Sequence, residues 1–365
     1  MSHSPQTRDP AQPPRWQADE RAWLITRYAD AARLLKSEDV SIVDVAGKLD
    51  RISTRMNGAF ANTILLIGHS HPLQNPPKHG AIRAGLREML SDILRRWTTD
   101  KVEDLVVKLL AGASGGECVD AMQLLARPIP ATIIADALNL QLPEFYRCGE
   151  LTRDLSGIWS RDVHALRDLF SIESSATALV QLLTAKFGDD RREDFAGLAF
   201  MTLAGVDTST SLLGSAIHRL SQMPILQLRL RDEPELVNGF INETLRCAPP
   251  VRRVLGRRTE RDLTLSVAEI PQNALLIVDV ESAHHDPDAY PDPERFDPDR
   301  NGPPTLAFGA GAHACVGVAL ARLEAKVLID RLLRDFIILP GGEARRRESR
   351  DWYEFESVPV RLQRV

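Results

Sequence analysis

Phe308-Gly309-Ala310-Gly311-Ala312-His313-Ala314-Cys315-Val316-Gly317, continuing into Val318-Ala319-Leu320-Ala321-Arg322, decides the reading of this chain. One cysteine stands among glycines. Apolar residues then recur at Val316, Leu320, Leu323 and Val327, a spacing that predicts a helix starting at the cysteine. A sulfur placed there meets outward-pointing N–H groups and the positive end of the helix dipole, and both favour thiolate over thiol. A metal ion would complete the deprotonation. Gly309, Gly311 and Gly317 leave room for something flat against the backbone, and His313 offers a donor to a nearby anion. Taken alone, Gly-x-His-x-Cys fits a small buried cysteine in a glycine turn equally well.

The 365 residues are 44% hydrophobic, enough for a substantial core, and no Gly/Ser-rich linker, low-complexity tract or repeat divides them. The expectation is one domain over 16–365, preceded by a disordered tail over 1–15 rich in proline and polar residues. Acids and bases are interspersed at a net charge of −5, which argues against nucleic acid as a partner. Cys118, Cys148, Cys247 and Cys315 have no CxxC spacing, so neither structural zinc nor a disulfide framework is expected, and a reducing cytoplasm suits them. No apolar signal segment or anchor is seen near Met1. The segment from Phe195 to Ile217 has Asp207 as its single charge and could span a bilayer. Its Gly/Ser/Thr-rich middle and missing aromatic belts favour a buried helix instead.

Along the chain, Trp23–Tyr28 reads as a strand, followed by a helix through Ala31, Leu34 and Leu35. A long loop with short helices is expected from Asp39 to His71, then a helix after Pro76-Pro77 carrying Ile82, Leu86 and Leu90. Helices follow over 102–110, 126–137, within 144–187, as one central helix from Asp194 to about Leu220, and between Pro234 and Pro249. The pattern turns to strands from Val251 to Val280, is irregular from Asp286 to Arg300, and ends in a hairpin over Trp352–Leu362. The sum is a mainly α protein with a minor sheet.

Within the central helix, Ala204-Gly205-Val206-Asp207-Thr208 is out of place. A buried Asp is costly unless bonded or functional, and a mid-helix Thr bonds back to the carbonyl four residues earlier, here Ala204, bending the helix. With Gly205 lacking a side chain, that bend would open a groove. Glu243 and Arg246 share a helix face, as an ordinary surface pair would. His79 and Arg83 do the same after Pro77.

The cysteine stretch resembles the haem-binding loop and following helix of the cytochrome P450 family. It matches at the phenylalanine, both glycines, the histidine, the cysteine, the later glycine and the Leu-Ala-Arg tail. The resemblance runs from about Trp23 to the C-terminus, and implies a helical bundle around a buried haem b with a minor β-rich subdomain. Cys315 would be the axial thiolate that pushes electron density toward O–O cleavage. Ala204, Gly205, Asp207 and Thr208 look like the oxygen-activating motif, with Thr208 holding oxygen and a water while Asp207 relays protons. His79, Arg83, Arg257 and His313 would serve the two haem propionates. Glu243, Arg246 and Arg295 would form a buried structural network. If Arg257 points to a propionate, strand alternation puts Leu255 and Arg253 on the same side, facing substrate.

Some departures stand out. Little precedes Trp23, and the stretch from Pro143 to Ala204 is short for the helices that roof the site, which implies an open pocket for a bulky substrate or a lid completed by a partner. Ala283-His284-His285-Asp286-Pro287 replaces the usual Ala-Asn-Arg-Asp-Pro, and Thr305 stands where many relatives have histidine. Arg345-Arg346-Arg347 reads as a solvated loop, and Trp97 and Trp159 as packing residues.

The resemblance implies a soluble cytoplasmic monooxygenase of the bacterial type, inserting one atom of O2 into a small or medium organic substrate of natural-product metabolism. No flavin- or iron–sulfur-binding segment is present, so electrons would come from a ferredoxin and its NAD(P)H-dependent reductase, docking around Arg95, Arg96 and Lys326. A haem-binding sensor or carrier is the alternative. It would not need the Asp207-Thr208 pair.

Overall fold

The computed structural model describes residues 11–70, 73–113, 116–160 and 165–365, without the side chains of 159, 160 and 193. In chain order its elements begin with β1 (Arg15–Gln17), β2 (Ala22–Ile25), α1 (Tyr28–Lys36), β3 (Val40–Ile42), α2 (Val45–Arg55), α3 (Ala61–Ile67), α4 (Lys78–Arg96) and α5 (Thr99–Leu110). Next come β4 (Cys118–Asp120), α6 (Pro128–Ala137), α7 (Leu142–Leu155), α8 (Gly157–Ser160), α9 (Leu166–Phe187), α10 (Phe195–Ala204) and α11 (Asp207–Gln222). The rest are α12 (Pro224–Asp232), α13 (Val237–Cys247), β5 (Arg253–Thr259), β6 (Leu263–Leu265), β7 (Ala268–Ile270), β8 (Leu275–Asp279) and α14 (Val280–Ala283). The chain closes with α15 (Val318–Asp335), β9 (Phe336–Pro340), β10 (Arg345–Arg346), β11 (Phe355–Ser357) and β12 (Pro359–Arg364).

These elements fall into two compact units. The first holds the chain up to Ser41, Thr99–Ala126 and Ser209–Val365; the second holds Ile42–Thr98 and Arg127–Thr208. In the first, strands order β1-β2-β8-β5-β3, with β2 parallel and β5 antiparallel to β8. Alternation along β8 gives each face its own core. Leu276 and Val278 pack with Ile25, Ala31, Leu34 and Leu306, whereas Ile277 packs with Ala22 and Leu24. The helix α15 buries Leu320, Leu328 and Leu332 and packs on α5 and α13. In the second unit, α7 packs on α9 and α10, and α3 on α9. A capping box fixes the start of α7: the Gln141 backbone N–H donates to Glu144 Oε2 at 2.9 Å.

Four expectations are corrected. The central helix is not continuous: α10 ends at Ala204 and α11 starts at Asp207, where the Val206 N–H bonds three residues back to Leu203 O instead of four. Among the described residues no helix is long and apolar enough to cross a membrane. The last helix starts at Val318, not at the cysteine: Ala314 is non-helical, and the first i→i−4 bond runs from the Ala321 N–H to Gly317 O at 3.0 Å. The closing hairpin is absent. β11 pairs with β10, while β12 is bonded on both sides, by β9 and β4, so its backbone has no room for β11. The stretch expected as a long loop with short helices carries the short helices α2 and α3, and its end at His71 lies outside the described residues. Of the expected tail, 1–10 lies outside the description, and Gln12 is tied to Thr26 Oγ1 at 3.0 Å.

Candidate active site

Within the first unit, the cysteine loop is built from backbone bonds. Gly309 N–H donates to Leu306 O at 2.8 Å, and Ala314 N–H to Gly311 O at 3.1 Å. Cys315 is exposed, and its Sγ accepts the Gly317 N–H at 3.3 Å. That is the charge-assisted contact a thiolate gains at a turn entering a helix. Gly311 (φ +70°) has a reason of its own: a Cβ there would sit 2.6 Å from Leu35 O, so the loop can close on the end of α1 only with glycine. His313 ends a 3-10 turn, Gly311–His313. Phe308 lies under the Arg322 guanidinium, 5.6 Å from the ring centroid, which gives the arginine of the Leu-Ala-Arg tail a definite task.

Arg257 lies on β5 in the same unit. Burial pulls its guanidinium down to about 10, and no carboxylate among the described residues pairs with it. A desolvated cation without a counter-ion is the state expected of a group that receives an external anion. Two residues of the same strand do not follow it. Gly256 (φ +71°) forms a bulge, so Arg253 opposes Asp279 and Val254 opposes Val278, yet Arg257 opposes Leu276. The extra residue reverses the alternation. Arg253 therefore shares a face with Asp279, not with Arg257. Its side chain, 10% exposed, is saturated by Glu20 at 2.7 Å and Asp351. The expectation that Arg253 meets substrate is corrected: its charge is already neutralised inside the protein. Leu255 is also corrected, since it packs on Ala22, Leu24 and Ile277 in the sheet.

The buried network differs by one member. Arg246 binds Glu243 through two bonds of 2.8 Å, and the third cation is Arg300, whose Nε donates to Glu243 Oε1 at 3.0 Å. Arg295 gives only its carbonyl, and its side chain is 68% exposed beside Asp297. Although burial alone pushes the Glu243 carboxyl up, its bonds to Arg246, the Asp297 N–H and Arg300 hold it below the ordinary range.

In the second unit, Thr208 Oγ1 donates to Ala204 O at 2.8 Å, the expected back-bond, at the break between α10 and α11. Gly205 does not open a groove: a Cβ there would meet Met201 O at 2.9 Å and the Ile134 side chain at 3.2 Å, so the glycine lets α6 pack close. Asp207 is held by Arg153 of α7, with NH2 at 3.2 Å from both carboxylate oxygens. Sequence reasoning missed Arg153, which lies 54 positions away with no local signal. His79 is buried on α4, with Arg83 one turn further along. Arg95 pairs with Asp92 and Arg96 with Asp136, while Lys326 of the first unit pairs with Asp330, so each expected docking cation is partly neutralised. Trp97 Nε1 donates to Asp136 Oδ2 at 2.8 Å, a structural contact; the Trp159 side chain lies outside the described residues.

Residues 191–356 match the family model for Cytochrome P450. Cytochrome P450 107B1 of Saccharopolyspora erythraea is 28% identical over 347 residues, spanning 86% of this chain and 82% of that protein. The erythromycin C-12 hydroxylase of the same organism is 28% identical over 348 residues, spanning 88% and 84%. Among solved structures, CalO2 superposes with a TM-score of 0.81 at 22% identity, covering 96% of this chain and 93% of that one, a likeness of fold. A mainly helical fold with small sheets, matched this way, defines a haem-thiolate monooxygenase. The chain belongs to the cytochrome P450 family.

Proposed function

We propose that this cytochrome P450 hydroxylates a small or medium natural product, with Cys315 as the haem ligand and Asp207 and Thr208 as its proton-delivery pair. The hydroxylase named among its relatives supports the reaction type. When bound, haem under an electron-donating thiolate supplies the activation of dioxygen. The chain's residues fit such a group: Cys315 Sγ is exposed and already accepts an N–H, and Arg257 is a desolvated cation with no anion partner among the described residues. Arg257, His313, His79 and Arg83 would hold the propionates.

The observation that carries the oxygenase reading is the bond from Thr208 Oγ1 to Ala204 O. It commits the hydroxyl hydrogen, so the oxygen is left as an acceptor and holds a water by taking that water's hydrogen. Asp207 releases Arg153, takes a proton from solvent at a carboxylate oxygen, and passes it to the water held at Thr208. A sensor or carrier needs neither step. Electrons come from a redox partner, here a ferredoxin with its NAD(P)H-dependent reductase.

Thr208→Ala tests the assignment. The variant should keep haem and the substrate-induced spectral shift, but divert reducing equivalents from product to peroxide. Wild-type coupling in that variant would refute the role of Thr208. A spectral titration against macrolide, steroid and fatty-acid panels identifies the substrate class.

A further inference from the structure

Two departures that the sequence shows far apart, His284 in place of asparagine and Thr305 in place of histidine, meet in the structure. His284 is completely buried in the turn that ends α14. Its Nε2 lies 2.8 Å from the Leu306 backbone N and 3.2 Å from Thr305 Oγ1, and its Nδ1 lies 3.1 Å from Arg246 O. A backbone N–H can only donate, so Nε2 is the bare acceptor and Nδ1 carries the hydrogen it donates to Arg246 O. Arg246 NH1 in turn donates to His284 O at 2.8 Å. The imidazole thus bridges the buried Glu243–Arg246–Arg300 network and the stretch of chain that runs into the cysteine loop.

The loop side is continuous. Thr305 Oγ1 accepts the Ala307 N–H at 3.1 Å, Leu306 O accepts the Gly309 N–H at 2.8 Å, and Phe308 O accepts the Cys315 N–H at 2.7 Å. Fixing Leu306 fixes the carbonyl of Phe308 two residues later, and that carbonyl anchors the cysteine. Neighbouring prolines are tied to the same frame, since Tyr28 OH donates to Pro304 O at 2.7 Å and Tyr290 OH to Pro303 O at 3.2 Å. Tyr290 also stacks edge-on to the His284 ring at 6.1 Å. Burial lowers His284 to about 3, so the ring stays neutral and keeps this tautomer at working pH.

We infer that His284 is a positioning residue for the cysteine ligand: its Nε2 holds Leu306 N–H so that the Phe308 carbonyl and Cys315 keep the register in which the sulfur binds iron as thiolate. This rests on the reading of Cys315 as the ligand. It assigns His284 no contact with haem or substrate.

Two conservative variants separate the halves of the bridge. In His284→Gln the amide oxygen reaches the Nε2 position and can still accept from Leu306, while in His284→Asn the shorter amide can only donate to Arg246 O. The holoprotein of each is compared with His284→Ala and Cys315→Ala. Two readouts are taken: the rate at which the reduced, CO-bound form loses the red-shifted thiolate band, and hydrogen exchange of the 303–317 peptide. His284→Ala and His284→Asn should lose the thiolate band and exchange at Leu306 roughly tenfold faster than wild type, as expected for one missing buried hydrogen bond. His284→Gln should stay within about threefold, keeping the bond in weaker geometry. A glutamine variant no better than asparagine overturns the proposal, as do wild-type rates in all three. Should His284→Ala not fold, the glutamine–asparagine comparison alone decides between the same two outcomes. If Cys315→Ala keeps the thiolate band, the ligand reading itself fails; if only the His284 variants behave as wild type, that reading stands and this one does not.

Discussion

The cysteine loop of the first unit and the polar helix break of the second are built in opposite ways. Around Cys315 the anchors are backbone bonds and buried side chains, with Arg246 and Glu243 2% and 4% exposed. Asp207 is held by the long side chain of Arg153, and that pair is 51% and 32% exposed. A metal ligand must keep one geometry through every turnover, so bonds that cannot be exchanged with water suit it. A group that moves protons must change partners, and a screened, half-exposed pair can open at little cost. Each region has the energetics its proposed chemistry demands.

The buried side of that contrast predicts the largest effect. Arg300→Ala leaves buried Glu243 short of a cation, and should destabilise the fold by about 3–5 kcal/mol. Arg295→Ala removes an exposed pair with Asp297 and should cost under about 1 kcal/mol. Urea unfolding of both variants decides between them. Equal losses would return Arg295 to the network.

That pair also shows where the sequence stops being legible. Arg295 and Arg300 both follow α13 in the same proline- and aspartate-rich stretch, and composition cannot tell which turns inward. The choice is made by the path of the chain: the Asp297 N–H bonds Glu243 Oε1, and the Arg300 N–H bonds Asp297 O, which swings Arg300 onto the carboxylate. Local features were readable. The glycine-framed cysteine and the Thr208 bond to Ala204 each depend on residues within a few positions. Gly256 is itself a readable signal, since a glycine inside a strand marks a bulge, and the bulge is what separates Arg253 from Arg257. Arg153, His284 and Arg322 act through partners brought together only by the tertiary fold, so no periodicity announces them.

A second buried carboxyl tests the rigid unit differently. Glu324 of α15 is completely buried, and burial raises its carboxyl from 4.5 to about 8. An acid whose pKa is higher in the folded state binds more protons folded than unfolded between those two values. Stability should therefore be full below pH 4.5, fall as pH rises toward 8, and then level off. The loss from this group is of the order of a few kcal/mol. Glu324→Gln keeps the shape and removes the charge, so its unfolding free energy should vary less with pH over that window. A variant with the wild-type slope would mean that Glu324 is already ionised in the fold.

The smallest effect on stability belongs to the exposed side. Arg153→Leu removes one half-exposed ion pair and should change the unfolding free energy by under about 1 kcal/mol. Its effect on proton delivery should be larger than that figure suggests, because Arg153 touches both oxygens of Asp207 and competes with solvent for them. Without Arg153, Asp207 takes up protons without first breaking that ion pair, and the solvent isotope effect on turnover should shrink. Salt provides an independent check, since screening weakens an exposed pair. Raising ionic strength should move the wild-type isotope effect toward the Arg153→Leu value and leave the variant where it is. If salt shifts both proteins equally, it acts on redox-partner docking, and the Arg153–Asp207 pair does not gate the proton.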